Sequence, residues 1–137
     1  MKPPVDIYRF ALSNHDYKEQ KKMSYMLLIM EPHGQRAERT SEQGTQAYES
    51  MLAFAADLQS RGLLRATESL KTDGVRVAVR DGKRMRIDGP FAEAKELVGG
   101  FFLLDCDDEA QAIAIAGQCP AAQWATVEVR ELGPCYT

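Results

Sequence analysis

The sequence predicts an α+β domain in which two strand-helix-strand units enclose a β-hairpin. Three observations predict it. Residues 25–30 and 97–104 are short, nearly continuous apolar runs, the signature of strands buried on both faces. Each run is followed by a segment with helix start and stop signals. Between the two units, Arg80-Asp81-Gly82 is flanked by valines and arginines in alternation, which marks a hairpin.

The 137 residues suit one domain with its own core. An apolar content of 45% and a charged content of 27% are those of a soluble globule, and a net charge of −3 offers no basic surface for direct nucleic-acid binding. No apolar run approaches the roughly 18 residues that span a bilayer, so no membrane contact is expected. Residues 1–22 carry Lys2, Asp16, Lys18, Glu19, Lys21 and Lys22 without the apolar centre of a secretory signal, so a cytoplasmic location is expected. Cys106, Cys119 and Cys135 form an odd set without Cys-x-x-Cys spacing and read as reduced packing residues. Two histidines without ligand spacing predict no metal site, and no cofactor is expected.

Residues 1–22 read as an N-terminal extension or as an arm docked through Ile7, Tyr8, Phe10 and Leu12; the domain is taken as 23–137. The first strand, 25–30, stops at Glu31-Pro32-His33-Gly34. Thr40 followed by Gln43 has capping-box spacing, and Ala47, Met51, Phe54, Ala55 and Leu58 make a helical stripe that ends at Gly62. Residues 63–70 form a weaker strand.

The hairpin admits two registers. A two-residue Asp81-Gly82 loop pairs Val77 with Arg86 and mixes apolar with charged side chains. A three-residue loop, Arg80-Asp81-Gly82, pairs Val77 with Met85 and Val75 with Ile87 and keeps an apolar face whole, so it is the predicted register. It places Arg76 across from Arg86, with Asp88 diagonal to them.

After a loop at 88–96 comes the second apolar strand. Acids at 105–109 begin a helix continued by Ala110, Ile113, Ala114 and Gly117 and stopped at Cys119-Pro120. A final strand at 124–132 puts Ala125, Val127 and Val129 on one face. The order is the ferredoxin-like split βαβ plan with an added hairpin. Two helices cover one face of such a sheet, yet two strands are apolar on both faces. A second copy of the chain is the simplest cover, so a homodimer is predicted.

Asp88-Gly89-Pro90-Phe91, then Ala92-Glu93-Ala94-Lys95-Glu96 and Gly99-Gly100-Phe101, resemble the DGPF-domain proteins of the YCII-related family. Tyr25-Met26-Leu27-Leu28, Cys119-Pro120-Ala121-Ala122 and Val127-Glu128-Val129-Arg130 extend the likeness over about residues 23–132. The resemblance implies a dimeric α+β barrel, two ferredoxin-like subunits facing each other around an internal cavity. It implies either a small enzyme or binder, or a regulatory module, because many DGPF proteins are encoded beside or fused to bacterial sigma factors. More distant relatives have a His/Asp pair proposed to be catalytic, with the histidine in the first helix. Here that helix has none.

The residues themselves offer two groups of candidates. Asp88 and His33 are the acid/base candidates: His33 lies in the loop after the first strand, beside Glu31. Arg76 and Arg86 can hold an anionic substrate by paired donors while Asp88 orients it, and Glu93, Lys95 and Glu96 can add an acid and an ammonium to the same small-molecule cavity. Each group also has a plainer use. A charged hairpin face and a charged loop suit solvent, and Asp88 can fix the Gly89-Pro90 turn through backbone amides. Gly99-Gly100 precedes a strand, not a helix, so close backbone approach explains it better than phosphate binding. Tyr25, Tyr48 and Trp124 can line a pocket or pack the core.

Overall fold

The structure, a computed structural model, describes residues 23–136. The docking arm read from Ile7, Tyr8, Phe10 and Leu12 lies outside them. The elements run β1 (Met23–Pro32), α1 (Ser41–Ser60), β2 (Leu64–Ser69), β3 (Val75–Arg80), β4 (Lys83–Asp88), β5 (Glu96–Cys106), α2 (Glu109–Gln118) and β6 (Thr126–Glu131).

Local chemistry sets the helix ends. Thr40 Oγ1 accepts the Gln43 amide at 3.1 Å, and Gln43 Oε1 accepts the Thr40 amide at 2.9 Å, a complete capping box. Gly62 closes α1 at φ +73°, and the Leu63 amide reaches back to Leu58 O at 3.0 Å. Asp108 caps α2 by accepting the Gln111 amide at 2.9 Å. The buried face of α2 is Ala112, Ile115 and Ala116, whereas Ile113 is 54% exposed.

Four strands pair in the order β2-β5-β1-β6, every neighbouring pair antiparallel. β1 and β2, joined through α1, are therefore parallel strands with β5 between them. β5 and β6, joined through α2, likewise flank β1. Both helices pack on one face of this sheet, where Phe54, Leu58 and Ile115 meet Tyr25, Leu27, Phe102 and Leu104. Phe54 and Phe102 meet edge to face, with ring centroids 5.2 Å apart. In this core burial pushes the Tyr25 phenol above its usual range, and the carboxylates of Glu131 and Glu109 add to the shift. Burial also raises the Cys119 thiol, against a smaller lowering by the backbone at Ala121 and Ala122.

The other sheet face holds the alternate residues Met26, Leu28 and Met30 of β1 with their partners Leu103, Phe101 and Val98 of β5. These side chains are half-buried within one chain, with Val98 at the edge of exposure. They form the apolar second face that the two continuous runs predict.

β3 and β4 form a separate two-stranded sheet, so the chain alone closes no barrel. Its register corrects the sequence reading. Arg80 pairs with Lys83, Val77 with Arg86 and Val75 with Asp88 around a two-residue Asp81-Gly82 loop. Both loop residues have positive φ, +53° and +75°, the geometry that matches strand twist in an Asp-Gly hairpin. An intact apolar face gives no advantage here because no core lies beneath it. Val77 and Val79 are 62% and 59% exposed, so turn geometry decides the register.

A cleft built around a buried ion pair

The register separates the cluster expected around Asp88. Arg86 and Asp88 share one hairpin face, where Arg86 Nε donates to Asp88 Oδ1 at 2.8 Å. Arg76 pairs with Ile87 and so lies on the opposite face. There its guanidinium stacks 3.7 Å above the Phe91 ring, and its Nη1 is 3.8 Å from Glu93 Oε2. All four charged groups are more than half exposed. Lys95 and Glu96 are exposed as well, and His33 is exposed in the turn after β1, where its backbone amide donates to Lys95 O at 2.9 Å. Within one chain these residues do not converge on a pocket. Asp88 takes its hydrogen bond from Arg86, not from the turn amides.

The structure instead gathers polar groups on the helix side of the sheet. Glu31 follows Tyr25, Leu27 and Ile29 on the buried parity of β1 and is itself only 5% exposed. A carboxylate there needs a counter-charge. Arg36, in a short 3-10 turn (Arg36–Glu38), supplies it. Its Nε lies 2.7 Å from Glu31 Oε1, and Nη2 lies 3.3 Å from Oε2, a two-pronged contact. Nη2 also donates to Gly99 O at 3.0 Å, and Nη1 to Leu70 O at 2.7 Å. Four of the five guanidinium N–H groups are thereby engaged.

The two glycines make this possible. Gly99 is the extra residue of a bulge between the pairs Ile29/Gly100 and Met30/Val98. A Cβ on Gly99 would collide with the Glu31 carboxylate and stand 2.9 Å from Arg36 Nη2. One on Gly100 would stand 2.8 Å from Glu68 O of the neighbouring strand. Close backbone approach, the sequence reading of Gly99-Gly100, is what the structure contains.

The pair forms part of the wall of a cleft of about 640 Å³ between α1 and the β2–β5 side of the sheet. Met51, Ala55, Ala47 and Phe102 give it an apolar side. Arg39, Thr40, Ser41, Tyr48 and Trp124 also line it. Tyr48 and Trp124 thus take the pocket role open to them in the sequence, whereas Tyr25 is core. Arg39 lies 5.5 Å from the Trp124 ring centroid and donates to Gln35 Oε1 at 3.3 Å, while Gln35 Nε2 donates to Trp124 O at 2.6 Å. Glu68 contributes from β2, but its pairing with Phe101 assigns its side chain to the other sheet face. Glu31, the carboxylate facing the cleft, has both oxygens on Arg36, so the chemistry this wall offers is recognition more than proton transfer.

A family model for the YCII-related domain matches residues 23–135, most of the chain. The chain belongs to the YCII-related family. The match starts at the first residue of β1 and includes both the hairpin and the cleft. No curated protein matches the sequence. Membership fixes the family of this YCII-related chain and leaves its ligand and chemistry to be argued from the site.

Sequence reasoning missed Glu31 and Arg36 because it ended β1 at Met30. The signal was present: Glu31 continues the Tyr25, Leu27, Ile29 alternation, and a charge on a buried parity calls for an opposite charge nearby. Arg36 and Arg39 both lie within eight residues.

Proposed function

We propose that this YCII-related protein is a homodimeric small-molecule-binding protein whose ligand occupies the α1–sheet cleft. One observation carries the reading. The chain commits a buried carboxylate with its half-buried arginine partner and two cleared glycines to shaping a cleft of ligand size, where a tighter apolar seam would otherwise close. The dimer is supported by Met26, Leu28, Met30, Phe101 and Leu103, which form an apolar stripe opposite the helices. The interleaved order β2-β5-β1-β6 supports a ferredoxin-like subunit, and pairing through the stripe would make the two-subunit barrel implied by the DGPF resemblance. In such a dimer the Asp88, Arg76, Arg86 and Glu93 groups would have a second chain to face.

Two measurements test the parts separately. Light scattering should give about twice the chain mass of 15.3 kDa, and Leu28→Glu should reduce it to one chain. A thermal-shift screen of metabolites should yield a ligand whose stabilisation disappears in Ala47→Phe, which fills the cleft from α1. A ligand indifferent to Ala47→Phe but lost in Asp88→Asn would move the site to the hairpin and overturn the cleft reading.

The hairpin supports a second reading, a regulatory protein-interaction module. Val77, Val79 and Ile87 are each more than half exposed on an element that shares no backbone pairing with the main sheet. If Val77→Lys leaves the dimer mass unchanged, the hairpin is free for another protein; if it gives monomers, the second copy covers it.

A further inference from the structure

Arg39 is the feature of the cleft that its architecture does not use up. Arg36 is neutralised by Glu31 at 2.7 Å. Among the described residues no carboxylate lies within ion-pair distance of Arg39. Its orientation is nevertheless fixed. Arg39 donates to Gln35, Gln35 donates to the Trp124 carbonyl, and the Trp124 ring lies 5.5 Å from the Arg39 guanidinium, closing a three-residue brace. A guanidinium held in place before a ligand arrives loses little rotamer freedom on binding and keeps its planar fork for paired oxygens. Beside it the wall turns apolar at Met51, Ala55 and Phe102.

We infer that the cleft takes a small organic monocarboxylate, with its carboxylate on Arg39 and its apolar body along Met51, Ala55 and Phe102. This rests on the reading of the cleft as the ligand site. Arg39, with no carboxylate partner among the described residues, selects against amines, and the apolar wall selects against inorganic anions, which have no body to bury. Ser41, at the start of α1 and on the same wall, offers a hydroxyl donor to the second carboxylate oxygen.

The chain contains a single tryptophan, and it lies in the cleft, so the site has a native fluorescent reporter. Full-length protein is titrated with 4-phenylbutyrate, 4-phenylbutanol and 4-phenylbutylamine by calorimetry, with Trp124 emission followed in parallel. The expected result is a dissociation constant for the acid at least tenfold below that of the alcohol, with a Trp124 response to both. Arg39→Gln should bring acid and alcohol within about threefold of each other, and Arg39→Lys should keep an intermediate preference. If the alcohol or amine binds as tightly as the acid while Trp124 responds, the carboxylate inference falls and the cleft reading stands. If none of the three binds, or binding leaves Trp124 emission unchanged, both fall. Should Arg39→Gln not fold, the acid-to-alcohol ratio in the wild type and in Arg39→Lys decides.

Discussion

Replacing Gly99 by alanine probes whether the β5 bulge is shaped around the Glu31–Arg36 pair. The added methyl would stand 2.6 Å from Glu31 Cδ and nearer still to Oε2, where ordinary contact begins at 3.4 Å, so the carboxyl group has to withdraw by at least about 0.8 Å. That stretches the 2.7 Å Nε–Oε1 contact to about 3.5 Å, the outer limit of a hydrogen bond. Moving Arg36 instead sacrifices its bonds to Leu70 O and Gly99 O. Stripping a buried charge of its partner costs about 3–5 kcal/mol. The arginine side chain is 33% exposed, so water screens part of the loss and the lower end applies. Alanine restricts the unfolded chain relative to glycine, which offsets about 0.5–1 kcal/mol. The expected destabilisation is therefore about 2–3 kcal/mol, a fall of about 1–2 M in the urea midpoint by far-UV circular dichroism at fixed protein concentration. In a Glu31→Ala background only Arg36 Nη2, 2.9 Å from the methyl, still has to give, and that flexible side-chain end is released from its carboxylate partner, so the same substitution should cost less than about 1 kcal/mol. Equal costs in the two backgrounds, or a Gly99→Ala protein as stable as wild type, would refute the argument.

Three further outcomes are expected. Asp88→Ala should change global stability by less than about 1 kcal/mol, because both members of the Arg86–Asp88 pair are 67% exposed; a larger loss by urea titration would show that Asp88 holds the turn. Gly82→Ala places a side chain at φ +75°, a cost of about 1–2 kcal/mol; amide exchange should quicken across β3 and β4 and stay unchanged in β1 and β5. The Tyr25 phenol and the Cys119 thiol both have folded pKa values raised by burial. A raised value means that the folded chain holds the proton more tightly. Stability should therefore be fully present below the unfolded thiol value, near pH 8.5, and fall as pH rises beyond it. Cys119→Ala should make the fall below the tyrosine range shallower, and a thermal melting series from pH 7 to 11 reads both effects.

The main elements were legible because their signals are local or periodic. Thr40 and Gln43 specify a capping box, Gly62 ends a helix, and residues 25–30 and 97–104 are too continuously apolar for a sheet wet on one side. The hairpin register was misread because apolar pairing was given weight that only a core beneath it can confer. The turn preference of Asp81-Gly82 acts without such support. The Asp88 cluster depended on that register and separated with it. The cleft was illegible for a different reason. Glu31 and Arg36 are neighbours in sequence, but Gly99 and Trp124 lie more than sixty residues away; the antiparallel β1–β5 pairing brings Glu31 across from Leu97 beside the bulge, and Gln35 ties in Trp124. Only the odd parity of Glu31 and the close backbone approach read from Gly99-Gly100 hinted at it.

The bulge at Gly99 also acts as a phase shifter. On its C-terminal side Phe102, Leu104 and Cys106 point to the helices; on its N-terminal side the alternation slips by one, so Leu97 pairs with Glu31 and Val98 joins Met30 on the open face. One residue thus lies against the cleft's ion pair on one side and sets which side chains reach the opposite surface on the other. A displacement of Glu31 or Arg36 that pushed on Gly99 would be felt at Val98 and Met30 without passing through the packed core. The bulge residue is then a direct mechanical link between the cleft and the apolar stripe.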